Sequence, residues 1–245
     1  MNMWRNQTLA VVLPTYNEVD SLGLCIKGFE ALGVVDEIVV VNNNADPDIT
    51  SIVESTSARE VVEKIKGYGA AIRRGLNETT EFDIVAICEP DGTFDPDDLY
   101  KLLPFLSDAD MVLGSRTVST FIYSGANMGP FLKWGNWAVA KGIEVLFNTV
   151  SLSDVGCTYR VLKRDTIDRL TPQFRRVDST FGLEMMLLAI SNRIPIVQVP
   201  VRYLQRVGES TITGDFYKAF ALGMLMIRMS IVHRISTLYA SFRAR

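Results

Sequence analysis

The stretch FDIVAICEPDGTFDPDD (82–98) begins as a short apolar run and ends in carboxylates: Glu89, Asp91, Asp95, Asp97 and Asp98. Continuous apolar residues over this length read as a strand covered on both faces. Like charges this close repel one another, so a bound cation, helix capping or solvation must offset them. Glu89 and Asp91 are two residues apart and project from the same side of an extended chain. Pro90 between them lacks an N–H and stiffens the turn. Two carboxylates aimed one way at a strand end suit a hard cation such as Mg²⁺, which takes one or two protein carboxylates and completes its shell with phosphate and water. Asp95, Asp97 and Asp98 read instead as the start of the next helix, where negative charge meets the positive dipole end.

Outward from this stretch the pattern repeats. Strands are predicted at 8–14, 36–42, 59–64 and 109–115, and helices at 17–33, 67–80 and 96–106. Apolar strands separated by helices predict an α/β fold with a mostly parallel sheet covered by helices on both faces. Ligands in such sheets bind beyond the carboxyl ends of the strands. That rule puts PTYNE (14–18), NNNADPD (42–48) and EPDGT (89–93) on one rim. The second half is less regular, with helices predicted at 130–149 and 182–192, and strands at 154–165 and 194–204. No linker or repeat divides it, so one domain is expected over 1–213, followed by a C-terminal amphipathic helix over 214–245.

Composition narrows the function classes. A net charge of −3 and a pI near 5.3 give no global basicity for nucleic acid. Three cysteines, Cys25, Cys88 and Cys157, share no close spacing and read as reduced packing residues of a cytosolic protein. The single histidine, His233, reads as a helix-surface residue, which disfavours a His-based triad or metal site. MNMWRNQ (1–7) lacks a long apolar segment, so no signal peptide is expected. Residues 216–245 are apolar but interrupted by Lys218, Arg228, His233 and Arg234, and read as a membrane-surface helix rather than a span.

LPTYNE after the first strand, EPDGTFDPDDL after a central one, GSR after the next and DVGCTYRVLKRD further on resemble the family-2 nucleotide-sugar glycosyltransferases of GT-A (Rossmann-like) fold. The order is most similar to the dolichol-phosphate mannose synthase and polyprenyl-phosphate hexosyltransferase branch, over about residues 9–211. The resemblance implies an inverting, metal-dependent hexosyltransferase. Its donor would be a UDP- or GDP-sugar, its cofactor Mg²⁺ or Mn²⁺, and its acceptor a lipid phosphate. Glu89-Pro90-Asp91 occupies the place of the family's Asp-x-Asp metal motif. Asn42-Asn43-Asn44 stands where the family commonly has Asp-Asp, keeping hydrogen bonding without charge.

Under this resemblance Pro14, Tyr16 and Glu18 line the nucleotide pocket, with Asn42 and Asp46 near base or ribose. Gly67, in Lys66-Gly67-Tyr68-Gly69, opens a helix at which backbone N–H groups would meet phosphate. An acceptor phosphate is already ionised and needs no strong general base; it needs positioning cations. Arg116, Lys133, Arg160 and Arg206 are the candidates, since guanidinium forks suit phosphate. Glu184 would orient the sugar or serve as a buried ion-pair partner. Aromatic stretches around 121–137 and 215–233 suit core packing, homo-oligomer contacts or a membrane surface, the latter placing the protein peripherally at a cytoplasmic membrane face. Two alternatives stay open: a glycosyltransferase with a soluble or glycan acceptor, and a non-catalytic nucleotide-sugar binding module.

Overall fold

In the computed structural model, which describes residues 4–126, 128–208 and 216–243, the apolar runs form one seven-stranded sheet. The strands are β1 (Leu9–Thr15), β2 (Glu37–Asn42), β3 (Arg59–Val62), β4 (Ile84–Ile87), β5 (Met111–Ser115), β6 (Arg160–Lys163) and β7 (Ile196–Pro200). Their order is β3-β2-β1-β4-β6-β5-β7. β3, β2, β1 and β4 are mutually parallel, β5 pairs with β7 in parallel, and β6 runs antiparallel between β4 and β5. The reversed β6 delivers its first residue, Arg160, to the rim where the parallel strands end, opposite Ile87 and Leu113.

Successive side chains point to opposite faces, so an apolar strand feeds two cores. Leu9, Val11 and Leu13 of β1 pack with Leu22, Cys25, Ile26 and Phe29 of α1 (Val19–Ala31) on one face. On the other, Val12 and Val39 meet Ala71, Ile72 and Leu76 of α3 (Tyr68–Glu78). That face also receives α5 (Pro130–Phe147), α6 (Arg164–Leu170) and α7 (Phe181–Ser191). Phe29, Tyr159 and Phe181 are completely buried, and each contributes about 1.5–3 kcal/mol of hydrophobic stabilisation. Cys25, Cys88 and Cys157 are free thiols in these cores, as their scattered spacing predicts.

Three local expectations are corrected. The polar turn after β2 contains a helix, α2 (Asp48–Glu54), which Asp46 initiates by accepting the Asp48 N–H at 3.0 Å and which buries Ile49 and Val53. The predicted helix over 96–106 is broken into a 3₁₀ turn, the short α4 (Leu99–Leu102) and a second 3₁₀ turn (Leu103–Ser107). Pro104 lacks the N–H that a continuous helix would need there. The segment read as a strand to residue 165 turns after Lys163 into α6, which buries Thr166, Ile167 and Leu170.

The last element, α8 (Phe216–Arg243), packs against α5 and α7 through Met226 and Ser230. His233 faces inward rather than lying free on the surface: its Nε2 is 2.8 Å from the Ser191 hydroxyl and its ring meets Phe147. The opposite face is no more polar. Met224, Ile227, Ile231, Ile235 and Phe242 form an exposed apolar stripe at helical spacing. The C-terminal helix expected from the sequence is present, and Ala219–Tyr239 is long and apolar enough to cross a membrane by length and composition. The domain boundary expected at 213/214 lies outside the described residues.

Candidate active site

The loops after β1, β2, β4, β5 and β7 and the start of β6 share one rim, as parallel strands require. At its centre Asp91 is 1% exposed. Its Oδ1 accepts from the Thr93 N–H at 2.9 Å and the Thr93 hydroxyl at 2.5 Å, closing the turn that Gly92 makes at φ +78°. Oδ2 is buried and has no hydrogen-bond donor; it is in charge contact with Arg206, whose Nη2 lies 2.5 Å away. The same nitrogen lies 3.5 Å from Glu89 Oε2. Two carboxylates therefore converge on one positive atom, as their two-residue spacing predicts. Burial, then the neighbouring Asp91, pushes the Glu89 carboxyl above the usual range, despite opposing pulls from Arg206 and Arg116.

Among the described residues no three His, Cys, Asp or Glu side chains gather as a metal cage. The pair nonetheless fits a hard cation. An anionic oxygen buried without a donor, beside a second carboxylate, is the partial shell that Mg²⁺ or Mn²⁺ completes with phosphate and water.

The remaining acids of the loop have partners of their own. Asp95 caps the first 3₁₀ turn by accepting from the Asp97 N–H at 3.0 Å, as expected of a helix start. Asp98 is fully buried and accepts from the Arg202 backbone N–H at 2.5 Å and Arg202 Nε at 2.8 Å, with Lys101 Nζ at 2.7 Å. Arg202 Nη1 also reaches Asp95 at 2.7 Å. The segment after β7 lies along the acidic loop, with the Leu204 N–H donating to the Thr93 carbonyl and the Val207 N–H to the Asp91 carbonyl. Arg202 and Arg206 thus answer the charge that the opening stretch accumulates.

Arg116, directly after β5, is held rather than free. Asp154 is completely buried and accepts from Arg116 Nε at 2.8 Å, Nη2 at 3.0 Å and the backbone N–H at 2.9 Å, and from the Gly156 N–H at 2.9 Å. Burial works against both charges, but the pairing prevails: Asp154 ends below and Arg116 well above their ordinary values. Gln198 of β7 fixes the Asp154 segment by accepting from the Ser153 N–H at 2.6 Å and donating to the Asp154 carbonyl at 2.5 Å. The guanidinium carbon stands 5.2 Å over the Tyr203 ring.

Arg160 is 3% exposed, and among the described residues its guanidinium donates to backbone carbonyls, Cys157 at 3.0 Å and Gly182 at 2.5 Å. Burial lowers its pKa. A buried guanidinium without a carboxylate is costly unless an anion visits it. Tyr68, at the start of α3, lies in the fields of Glu89 and Arg160; burial, then Glu89, raises its phenol well above the ordinary value.

The PTYNE turn is internally wired. Glu18 Oε2 accepts from the N–H groups of Tyr16 at 2.6 Å and Asn17 at 2.9 Å, leaving the Tyr16 ring at the surface with Lys66 Nζ 5.0 Å above it. Pro14 lies buried within β1, paired with Val41. Asn42 donates to Glu60 at 2.7 Å and accepts from the Ala45 N–H at 3.0 Å, so its amide is committed to the loop. Asn43 is likewise committed, to the carbonyls of Glu63 and Ile65 and the Gly67 N–H. Asp46 spends its side chain capping α2. Lys133 donates to the Ser119 hydroxyl at 2.6 Å, beside the loop after β5. Glu184 accepts from the backbone N–H groups of Arg175 at 3.1 Å and Arg176 at 2.9 Å, which ties its carboxylate to that turn.

Gly67 permits a close approach of main chain at the start of α3. Its φ is +144°, and a Cβ there would lie 2.2 Å from the Val177 carbonyl oxygen. That same oxygen accepts from the Ala70 N–H, so a turn remote in sequence satisfies one of the first N–H groups of α3. Gly67→Ala combines backbone strain with a clash against main chain, at a cost of about 3 kcal/mol or more. A thermal melt should show Tm lowered by about 6–12 °C; an unchanged Tm would show that the turn yields freely.

Asp154, Gln198 and Arg202 escaped the sequence reading. The only advance signal for Asp154 was that an arginine at a strand end is often paired with a carboxylate, and that tendency does not say which one.

Comparison with known proteins gives the family. Residues 10–170 match the model of "Glycosyl transferase family 2". The low-salt glycan biosynthesis hexosyltransferase Agl6 of Haloferax volcanii is 28% identical over 96% of this chain, which spans only 55% of that relative's length. An undecaprenyl-phosphate mannosyltransferase of Micrococcus luteus is 28% identical over 83% of this chain and 86% of its own. Glucosyl-3-phosphoglycerate synthase of Mycobacterium tuberculosis, crystallised with Mn²⁺, UDP and glucosyl-3-phosphoglycerate, shares the fold at a TM-score of 0.68 and 19% identity, covering 95% of this chain and 80% of that one. The family match covers most of the chain and includes β1, the acidic pair and Arg160: this chain belongs to glycosyl transferase family 2.

Proposed function

We propose that the protein transfers a hexose from a nucleoside-diphosphate sugar to a polyprenyl or dolichyl phosphate, with inversion at the anomeric carbon. The observation that carries this reading is the convergence of Glu89 and Asp91 on one point of the rim, with Arg206 in contact with both and Arg116 in the field of Glu89. Relatives named for undecaprenyl phosphate and for hexose transfer support the substrate class.

Glu89 and Asp91 would hold the divalent cation, Mg²⁺ or Mn²⁺, which when bound neutralises the departing diphosphate. Tyr16 and Lys66 offer an exposed aromatic face and an ammonium at the nucleotide end of the rim. Arg116, fixed by Asp154, presents a preoriented guanidinium, and Arg160 supplies buried positive charge beneath the transfer point. His233 lies in the α7–α8 contact, so no imidazole serves as base; an ionised phosphate acceptor requires none.

The exposed stripe of α8, together with Trp134 and Trp137 on α5, suits a membrane surface where such an acceptor resides. We place the enzyme at the cytoplasmic face, where nucleotide sugars are available. Incubation of labelled UDP- or GDP-hexoses with a short polyprenyl phosphate and Mn²⁺ should carry label into the organic phase. Label transferred instead to a water-soluble acceptor would select the soluble-acceptor reading, and binding without any transfer the module reading.

A further inference from the structure

Arg206 stands at a place two functions claim. Its Nη2 is 2.5 Å from Asp91 Oδ2 and 3.5 Å from Glu89 Oε2, which is where a cation shared by both carboxylates must sit. Asp91 Oδ2 has no hydrogen-bond donor, so the guanidinium contact balances charge without satisfying the oxygen. A small dication at the same point and the Arg206 head group exclude each other, both by volume and by charge. We propose that Arg206 is the resting counter-cation of the acidic pair and that the donor's divalent ion enters by displacing it. This rests on the metal-dependent reading above and adds an order to it: metal and donor first, anionic acceptor second.

The backbone around Arg206 supports a movable contact on a fixed base. Arg202 is anchored to Asp95 and Asp98, and Asp98 is completely buried. Beyond it the segment is held to the acidic loop by two main-chain hydrogen bonds, Leu204 N–H to Thr93 and Val207 N–H to Asp91. Arg206 itself is a quarter exposed at its side chain, so its head group can leave without unpacking a core. Displacement frees a guanidinium beside the departing diphosphate, where it can meet the acceptor's phosphate. A site whose competent form is only fractionally populated binds its ligand more weakly by that fraction. The pair should therefore bind a bare metal ion poorly until the donor's phosphates contribute to the same coordination shell.

Mn²⁺ binding to the full chain without nucleotide, followed by electron paramagnetic resonance of the free ion, tests this. Arg206→Ala should bind Mn²⁺ about tenfold more tightly than the parent, and Asp91→Asn added to it should abolish the gain. Unchanged or weaker Mn²⁺ binding by Arg206→Ala would overturn the proposal. The side-chain Nε–H signal of Arg206 in the parent chain gives a readout that simple repulsion of the metal by a positive side chain would not move. Adding Mg²⁺ with UDP, and separately with GDP, should shift this signal and speed its exchange with water with at least one nucleotide, while the Leu204 and Val207 amides stay protected. An unchanged Arg206 signal with both, while the nucleotide demonstrably binds, would show that the head group stays in place and the proposal fails. Neither measurement involves an acceptor, so a failure of lipid-phosphate transfer leaves these outcomes readable on their own.

Discussion

Asp91→Asn should abolish measurable transfer while leaving the fold intact. The substituted amide keeps an oxygen for the Thr93 N–H and hydroxyl, so the turn at Gly92 retains its hydrogen bonds. What disappears is the anionic Oδ2, buried and without a donor, on which cation binding depends. A Lewis-acidic ion contributes several kcal/mol to stabilising a leaving diphosphate. At about 1.4 kcal/mol per factor of ten, the rate should fall by about three orders of magnitude. Donor binding should lose its dependence on Mn²⁺ in the same variant, while the melting temperature changes little. Near-normal turnover would remove the acidic pair from the chemistry altogether.

Asp154 carries the second large effect. Alanine there leaves Arg116 buried beside a cavity with its partner gone, a loss of about 3–5 kcal/mol for pairs of this kind. The melting temperature should fall by about 6–20 °C. Asp154→Asn separates position from charge: the shape remains, but Arg116 is no longer fixed by a carboxylate, and misplacement on the scale of 1 Å costs about 100-fold in rate. We expect kcat to fall with metal-dependent donor affinity little altered; an equal loss of both would make Asp154 merely structural. The pH dependence has a defined sign. Because Arg116 holds the folded pKa of Asp154 below its ordinary value of 3.8, the stabilisation is complete above that value and is lost only as pH falls through the lowered one. Stability measured between about pH 5 and 7 should therefore show no contribution from this group's titration.

Much of the sheet was legible because strands covered on both faces must be continuously apolar, and 84–88 and 9–14 are. The acidic pair was legible for a local reason as well, since two-residue spacing alone fixes a common direction. Its counter-charges were not, because Arg202 meets Asp98 across 104 residues of sequence and no local pattern encodes such a meeting. At Gly67 the sequence showed only that a close approach was possible, not that the main chain of Val177 makes one. Nor did it show that Glu60 and the Ala45 N–H hold the Asn42 amide within its own loop. The α2 helix was concealed because Asp46-Pro47-Asp48 is equally a turn and a helix start, and only the burial of Ile49 and Val53 decides between them.

The two-sidedness of α8 sets solubility against integrity. Its inward residues close the second core over Val139, Ala140 and Ile143 of α5, while its outward residues are mostly apolar, with Arg228 and Ser236 among the few polar ones. Trimming the chain ahead of Phe216 to make it better behaved in aqueous buffer would strip that lid and trade one greasy patch for another. Amphiphiles that coat the outer stripe while leaving the inner seam closed are the gentler remedy.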